Sequence, residues 1–169
     1  MPRVAGLNIV AVLVAAVAFY AVGMVIYGFA LTDVWGQQML MNHGMATDQA
    51  AALTGTPLMD ALNAMPGVID PMTAYSVGFL VSLVTTIGIA LVMKMTKPAS
   101  LMSALGRAFV LWLCFAGTTL AYNPLYSSES TTLFGIDLMH LFLAYHLSAA
   151  VLFLIDGKAI SGAAAPAAA

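Results

Sequence analysis

The chain has 169 residues, 62% of them apolar and 7% charged, with a formal net charge of -2. A soluble domain is roughly a quarter charged, and a chain this small has no interior able to hide so much apolar surface, so a water-facing globule is excluded. Five scattered cations cannot neutralise a phosphate backbone, and a lone Cys114 cannot build a disulfide scaffold, which removes nucleic-acid binding and small cross-linked frameworks.

Four stretches carry no Asp, Glu, Lys or Arg: Leu7–Leu31, Ala74–Met93, Ala108–Tyr122 and Leu138–Ile155. A helix needs about 20 apolar residues to cross the hydrocarbon core, and only helices or closed barrels satisfy their backbone groups there. None of the four alternates as a barrel strand would. With short extensions at their ends, and with Arg107 snorkelling to the interface, they predict transmembrane helices over 7–31, 74–95, 101–122 and 134–155. The fold class expected is an all-α four-helix membrane bundle in one domain over 1–160.

The first span follows Arg3 and is too long for the apolar core of a cleavable leader, so it is expected to stay as a membrane helix. One stripe of it holds Asn8, Ala16, Tyr20, Gly23 and Tyr27, within about 120° on a helical wheel. Val10, Val14, Val17 and Val25 form the opposite, lipid-facing side. Residues 32–73 then make a stretch too long for a simple turn. Within it, Asp33–Met45 (with Trp35) and Pro57–Met65 are expected as short helices lying at the interface or capping the bundle.

The second span carries Gly78, Ser82, Thr86 and Ala90 at four-residue spacing, flanked by Tyr75 and Thr85. Helices in lipid associate through small residues and interhelical hydrogen bonds, so this ladder is expected to pack on the polar stripe of the first span. In the third span Cys114 reads as a small buried hydrophobe. Asn123-Pro124 should end that span sharply, because proline cannot continue a helix and biases the residue before it toward an extended backbone. Ser161–Ala169 is a Gly/Ala/Pro tail expected to be disordered.

Arg3, Lys94, Lys97, Arg107 and Lys158 all fall on one side of this topology, whereas residues 32–73 and 123–137 hold acidic groups and no Lys or Arg. Positive charge stays cytoplasmic, so both termini are expected inside, and in a bacterium the long loop lies in the periplasm across the inner membrane.

Several landmarks then stand in a telling order: Asn8, Tyr27-Gly28, Trp35, Gly106, Leu111-Trp112-Leu113, Asn123-Pro124-Leu125-Tyr126 and Tyr145-His146-Leu147. In type and spacing this series resembles the bacterial membrane family called domain of unknown function 1761, across nearly the whole chain except 36–73 and the tail. Two features depart from the family pattern. The aromatic pair at the exit of the first span is reduced to Ile26-Tyr27, and the usual Gly-Arg is replaced by Ser127-Ser128-Glu129. The resemblance implies a four-helix membrane protein and no particular activity.

Asp137 and His140 are three apart and share a face of the fourth span with Ala144 and Ser148. A carboxylate beside an imidazole can serve a proton relay or a cation entrance, or simply satisfy interfacial hydrogen bonds. His146 lies near the midplane on the other side of that helix, either as a functional intramembrane group or as a packing histidine bonded to Tyr, Ser or a backbone carbonyl; polar groups on two faces of one helix also argue for a second protomer. Met39, Met41, His43 and Met45 alternate in the loop; thioethers with imidazole suit Cu(I), but this spacing does not converge on one helical face, and an apolar interfacial segment is the expected reading. No nucleophile-base pair, phosphate-binding glycine loop, zinc spacing or haem motif is present in the sequence, so no cofactor, metal or catalysis is expected.

Two functions fit. One is a non-enzymatic accessory or scaffold subunit that self-associates or joins a larger membrane complex. The other is a small transporter or channel for protons, cations or a small solute. The second requires the polar residues Asn8, Tyr27, Asp137, His140 and His146 to converge on one space. At the loop side, Tyr27, Trp35, Asn123, Asp137 and His140 are expected to cluster, because polar groups at the hydrocarbon edge cost less when they satisfy one another.

Overall fold

The computed structural model describes residues 2–67, 69–127 and 129–160; the Ala/Pro-rich tail 161–169 lies outside them. Four helical rods are long and apolar enough to cross a membrane: Ile9–Ala30, Pro71–Thr96, Leu101–Tyr126 and Thr131–Gly157. The protein is therefore an all-α, multi-pass membrane bundle.

A two-residue hairpin, β1 (Arg3–Val4) and β2 (Leu7–Asn8), leads into the first rod. Its turn residues, Ala5 and Gly6, both take positive φ (52° and 76°), the geometry of a tight type I′ connection. Asn8 then caps α1 (Ile9–Val25), its side-chain oxygen accepting from the N–H groups of Val10 and Ala11 at 3.1 and 3.4 Å. The rod continues as a π-helical turn over Ile26–Ala30.

Residues beyond it form three short helices, α2 (Thr32–Asn42), α3 (Thr47–Ala51) and α4 (Gly55–Asn63), one more than the apolar pattern suggests. They share a small core of Leu40, Ala50, Leu58 and Leu62. Gly36 is what lets α2 meet α4, since a Cβ there would lie 2.9 Å from Leu58 Cδ2 and 3.0 Å from Leu62 Cδ1. This cap is fastened to the last span: the Ser130 hydroxyl donates to Gln38 Oε1 at 2.6 Å, and the Ser130 N–H donates to Asn42 Oδ1 at 3.1 Å.

Asp70 caps α5 (Pro71–Thr96), accepting from the Thr73 N–H at 3.0 Å, with proline at the first helical position where its missing N–H does no harm. Hydrogen bonds from Thr73, through its side chain and backbone, hold the Asp70 carboxyl below its ordinary range. The third rod is α6 (Leu101–Leu111), a π-helical turn over Trp112–Gly117, and α7 (Thr118–Tyr126). Arg107 reaches back to Thr96 Oγ1 (2.7 Å) and the Thr96 carbonyl (3.1 Å), and also donates to the carbonyl and hydroxyl of Ser103. It thus places a cation at the C-terminus of α5, where the helix dipole favours one. The fourth rod is α8 (Thr131–Ile160).

Two expectations are corrected here. Helix α7 runs through Pro124 to Tyr126 rather than stopping at Asn123; proline removes only its own donor, and the Asn123 carbonyl accepts from the N–H groups of Ser127 (2.9 Å) and Glu129 (3.4 Å), so the helix closes three residues later. Cys114 is exposed, not buried. The third span has the least buried surface of the four, so most of its circumference, Cys114 included, faces outward.

The bundle core is built from small residues, Ala11, Ala15, Ala90, Ala104, Ala108, Ala144 and Ala149, which let backbones approach, with Phe19, Met93 and Leu152 filling between them. A polar node joins three spans. The Ser148 hydroxyl donates to the Ala15 carbonyl at 2.9 Å, and Thr86 Oγ1 lies 3.3 Å from Ser148 Oγ, with both side chains fully buried. With its proton committed to Ala15, Ser148 accepts from Thr86. The ladder of the second span is therefore shared: Gly78 faces Tyr20 of α1, but Thr86 faces α8, and Ser82 turns back to its own Gly78 carbonyl at 2.9 Å. The stripe of the first span divides in the same way, with Tyr20 against Phe79 of α5 and with Gly23 and Tyr27 against α8. Helices α1 and α5 pack directly on one another through part of these stripes, Tyr20 meeting Gly78 and Phe79, and α8 takes up the rest. Val10, Val14, Val17 and Val25 are exposed on the outer side of α1.

A candidate polar site at the loop end of the bundle

The π-helical turn at the exit of the first span is the element that positions Tyr27. One extra residue in the turn rotates the side chains after it, and such turns occur often at functional positions. Here it aims the phenol across the interface at α8. The Tyr27 hydroxyl lies 2.6 Å from Asp137 Oδ1 and 3.1 Å from His140 Nδ1. Asp137 and His140 stand one turn apart on α8, so a single hydroxyl spans both.

Aromatic rings pack around these groups. The Tyr27 ring meets the His140 imidazole edge-on, centroids 5.0 Å apart, and Trp35 of α2 lies 5.5 Å from Tyr27 on the cap side. Phe19, about two turns before Tyr27, meets the imidazole edge-on at 6.2 Å. Gly23 supplies the room for His140: a Cβ at that position would sit 3.1 Å from His140 Nε2. On the far side of α8, Trp112 opens the second π-helical turn and donates its indole N–H to the Leu138 carbonyl at 3.1 Å. Both π-helical turns therefore engage the same stretch of α8, residues 137–140.

One hydroxyl carries one proton, so two wirings satisfy both of its contacts. With Asp137 ionised, Tyr27 donates to Asp137 and accepts from His140 Nδ1–H. With Asp137 protonated, the carboxylic acid donates to Tyr27, and Tyr27 donates to an unprotonated Nδ1. Adding one proton at the carboxylate reverses the direction of the chain and moves the imidazole proton from Nδ1 to Nε2. The three side chains form a unit that can hold, lose and relay a proton.

Of the residues singled out in the sequence, Tyr27, Trp35, Asp137 and His140 lie together. Asn123 is half-buried on α7, and none of the hydrogen bonds among the described residues links it to Asp137 or His140. Asn8 is at the other end of the bundle, about 28 Å away along the helix at 1.5 Å per residue, where it caps α1. His146 also stands apart, its Nδ1 2.7 Å from the Phe142 carbonyl and its ring packed against Phe142 (4.1 Å) and Phe109 (6.3 Å). On this face of α8 the third span of the same chain meets His146 through Phe109.

Phe19 belongs to the site and went unnamed in the sequence, while Gly23 was noted there only as part of a helix stripe and Trp112 only as a landmark of the resemblance. Gly23 carried a signal in its place four residues before Tyr27; neither π-helical turn has one.

The family model described as protein of unknown function (DUF1761) matches residues 10–153. The chain belongs to that family. The match holds every landmark of the resemblance except Asn8, which precedes it, and it encloses Tyr27, Trp112, Asp137 and His140. No curated protein and no solved structure matches the chain.

Proposed function

We propose that this DUF1761 protein is a non-enzymatic accessory protein of the cytoplasmic membrane, with both termini inside, and that its working centre is a proton-exchanging Tyr27–Asp137–His140 cluster at the outer end of the bundle. The observation that carries the reading is the one hydroxyl bridging a carboxyl and an imidazole within membrane-spanning rods. Ionisable side chains in such segments are expensive and are retained where they handle ions or protons. The placement of all cations at the terminal side supports the orientation.

A one-sided site fits better than a channel. Toward the terminal end, Phe19, Ala15, Ala144 and Leu152 are buried and fill the space between helices, and the remaining polar candidates, Asn8 and His146, stand away from the cluster. The cap ties into this centre through Trp35, so a change in its wiring reaches the loop helices directly. The sparsely covered third span supports a membrane partner there, beyond lipid alone.

The test is difference infrared spectroscopy of the protein in lipid nanodiscs across an acid-to-neutral titration. Among the protonated-carboxyl stretches that appear on acidification, one should shift in Tyr27→Phe and be missing in Asp137→Asn. Identical spectra for wild type and Asp137→Asn would refute the proton-exchanging centre.

A further inference from the structure

The loop cap carries a second constellation with its own chemistry. Helix α2 ends in a Schellman turn: Gly44 takes φ 94°, its N–H donates to the Met41 carbonyl at 3.0 Å, and the Met45 N–H donates to the Leu40 carbonyl at 3.0 Å. That turn breaks the alternation of Met39, Met41, His43 and Met45 and folds Met45 back beside His43. The same open cleft, about 510 Å³, is lined by His43, Met45 and, from the segment after α4, Met65. Two thioethers and an imidazole, separated in sequence, therefore border one space.

The imidazole is already oriented. His43 Nδ1 lies 2.9 Å from the Met39 carbonyl, an acceptor only, so Nδ1 is the nitrogen that donates there and Nε2 is the one left to meet a ligand. A backbone carbonyl on the far ring nitrogen is the arrangement by which metal-bound histidines are held. Met45 and Met65 are half-buried against the small core of the cap, which limits their motion, while His43 is exposed and gives an ion a way in. Among the described residues no three His, Cys, Asp or Glu side chains group together, so a hard or borderline ion has no ligand set. Thioether sulfur with imidazole nitrogen selects soft monovalent ions. The surrounding loop has acidic groups and no Lys or Arg between residues 32 and 73, which favours a cation.

We propose that His43, Met45 and Met65 form a binding site for Cu(I) on the loop cap. The ion is held by His43 Nε2 and the two Sδ atoms. The site shares no residue with the Tyr27 cluster.

The test uses the full chain in detergent micelles, kept anaerobic and reduced, competing for Cu(I) with a chromophoric chelator. Wild type should withdraw one equivalent. His43→Gln, Met45→Leu and Met65→Leu should each lower the apparent affinity by more than the roughly 10–100-fold that loss of a second-shell partner costs, and the triple variant should withdraw none. Methionine to leucine conserves volume, so the cap keeps its packing. Met39→Leu should behave as wild type. A readout that needs no variant is the ε-methyl NMR spectrum on adding Ag(I), in which the signals of Met45 and Met65 should move and that of Met39 should not. Failure of wild type to take Cu(I), an unchanged affinity in the triple variant, or unmoved Met45 and Met65 methyls would each overturn the site.

Discussion

Tyr27→Phe removes one oxygen and leaves the ring, with its 5.0 Å contact to His140 and 5.5 Å contact to Trp35, in place. What is lost is the hydroxyl's pair of contacts, 2.6 Å to Asp137 and 3.1 Å to His140. Hydrogen bonds between membrane helices average about 0.6 kcal/mol, with a ceiling of about 1.7 kcal/mol. The short bond to a carboxyl belongs near the ceiling and the longer one near the average. The substitution should therefore cost about 2 kcal/mol, also within the range of about 1–3 kcal/mol for stranding a desolvated polar group. Reversible unfolding in mixed micelles, or steric trapping in bicelles, measures this directly. A double-mutant cycle with Asp137→Asn should return a coupling of about 1 kcal/mol or more. A loss below about 0.5 kcal/mol, with the two substitutions additive, would mean that the hydroxyl and the carboxyl do not stabilise one another.

Gly23→Ala places a methyl 3.1 Å from His140 Nε2; the imidazole must give way, and its ring NMR signals should shift while Phe19→Leu, which only thins the wall, shifts them less. Ser148→Ala deletes the buried hydroxyl that joins the first and second spans to the fourth and should cost about 0.6–1.7 kcal/mol of unfolding free energy in micelles; full stability in this variant would remove the polar node from the account of the core. Gly36→Val drives a side chain into Leu58 and Leu62 and should cost about 1–3 kcal/mol, read as faster hydrogen exchange over residues 32–63 with the membrane spans unchanged. Because the Asp70 carboxyl is held below its ordinary range, its ionised cap stabilises α5 above that range and is lost as pH falls through the lower native value. Protection of the Thr73 amide should decline in acid in the wild type and stay flat in Asp70→Asn.

The four spans were legible because charge is nearly absent from them, and burial of backbone polar groups leaves helices as the only answer for such runs. Trp35, Asp137 and His140 could be brought to one level with Tyr27 by counting residues from the span ends. Finer geometry was not legible. The π-helical turns at Ile26–Ala30 and Trp112–Gly117 come from packing against α8 rather than from any local residue preference. The division of the Gly78–Ala90 ladder between α1 and α8 depends on how three rods meet, which a single helical wheel does not contain. Pro124 illustrates the same limit, since a local rule about proline yielded to a helix whose other groups were all satisfied. The third short helix of the cap, Thr47–Ala51, is only five residues long and offers too little periodicity to detect.

The N-terminal hairpin has consequences for biogenesis. Arg3 grips Asp156 through both guanidinium nitrogens, at 2.5 and 3.1 Å, and Lys94 donates to the Ala5 carbonyl at 2.5 Å. The first of these partners is 153 residues downstream of Arg3, so the hairpin gains its full set of contacts only once the fourth rod is in place. The hairpin is thus a clasp with two catches, one to the second span through Lys94 and one to the fourth through Asp156, and a chain truncated within the fourth span would keep the first and lose the second.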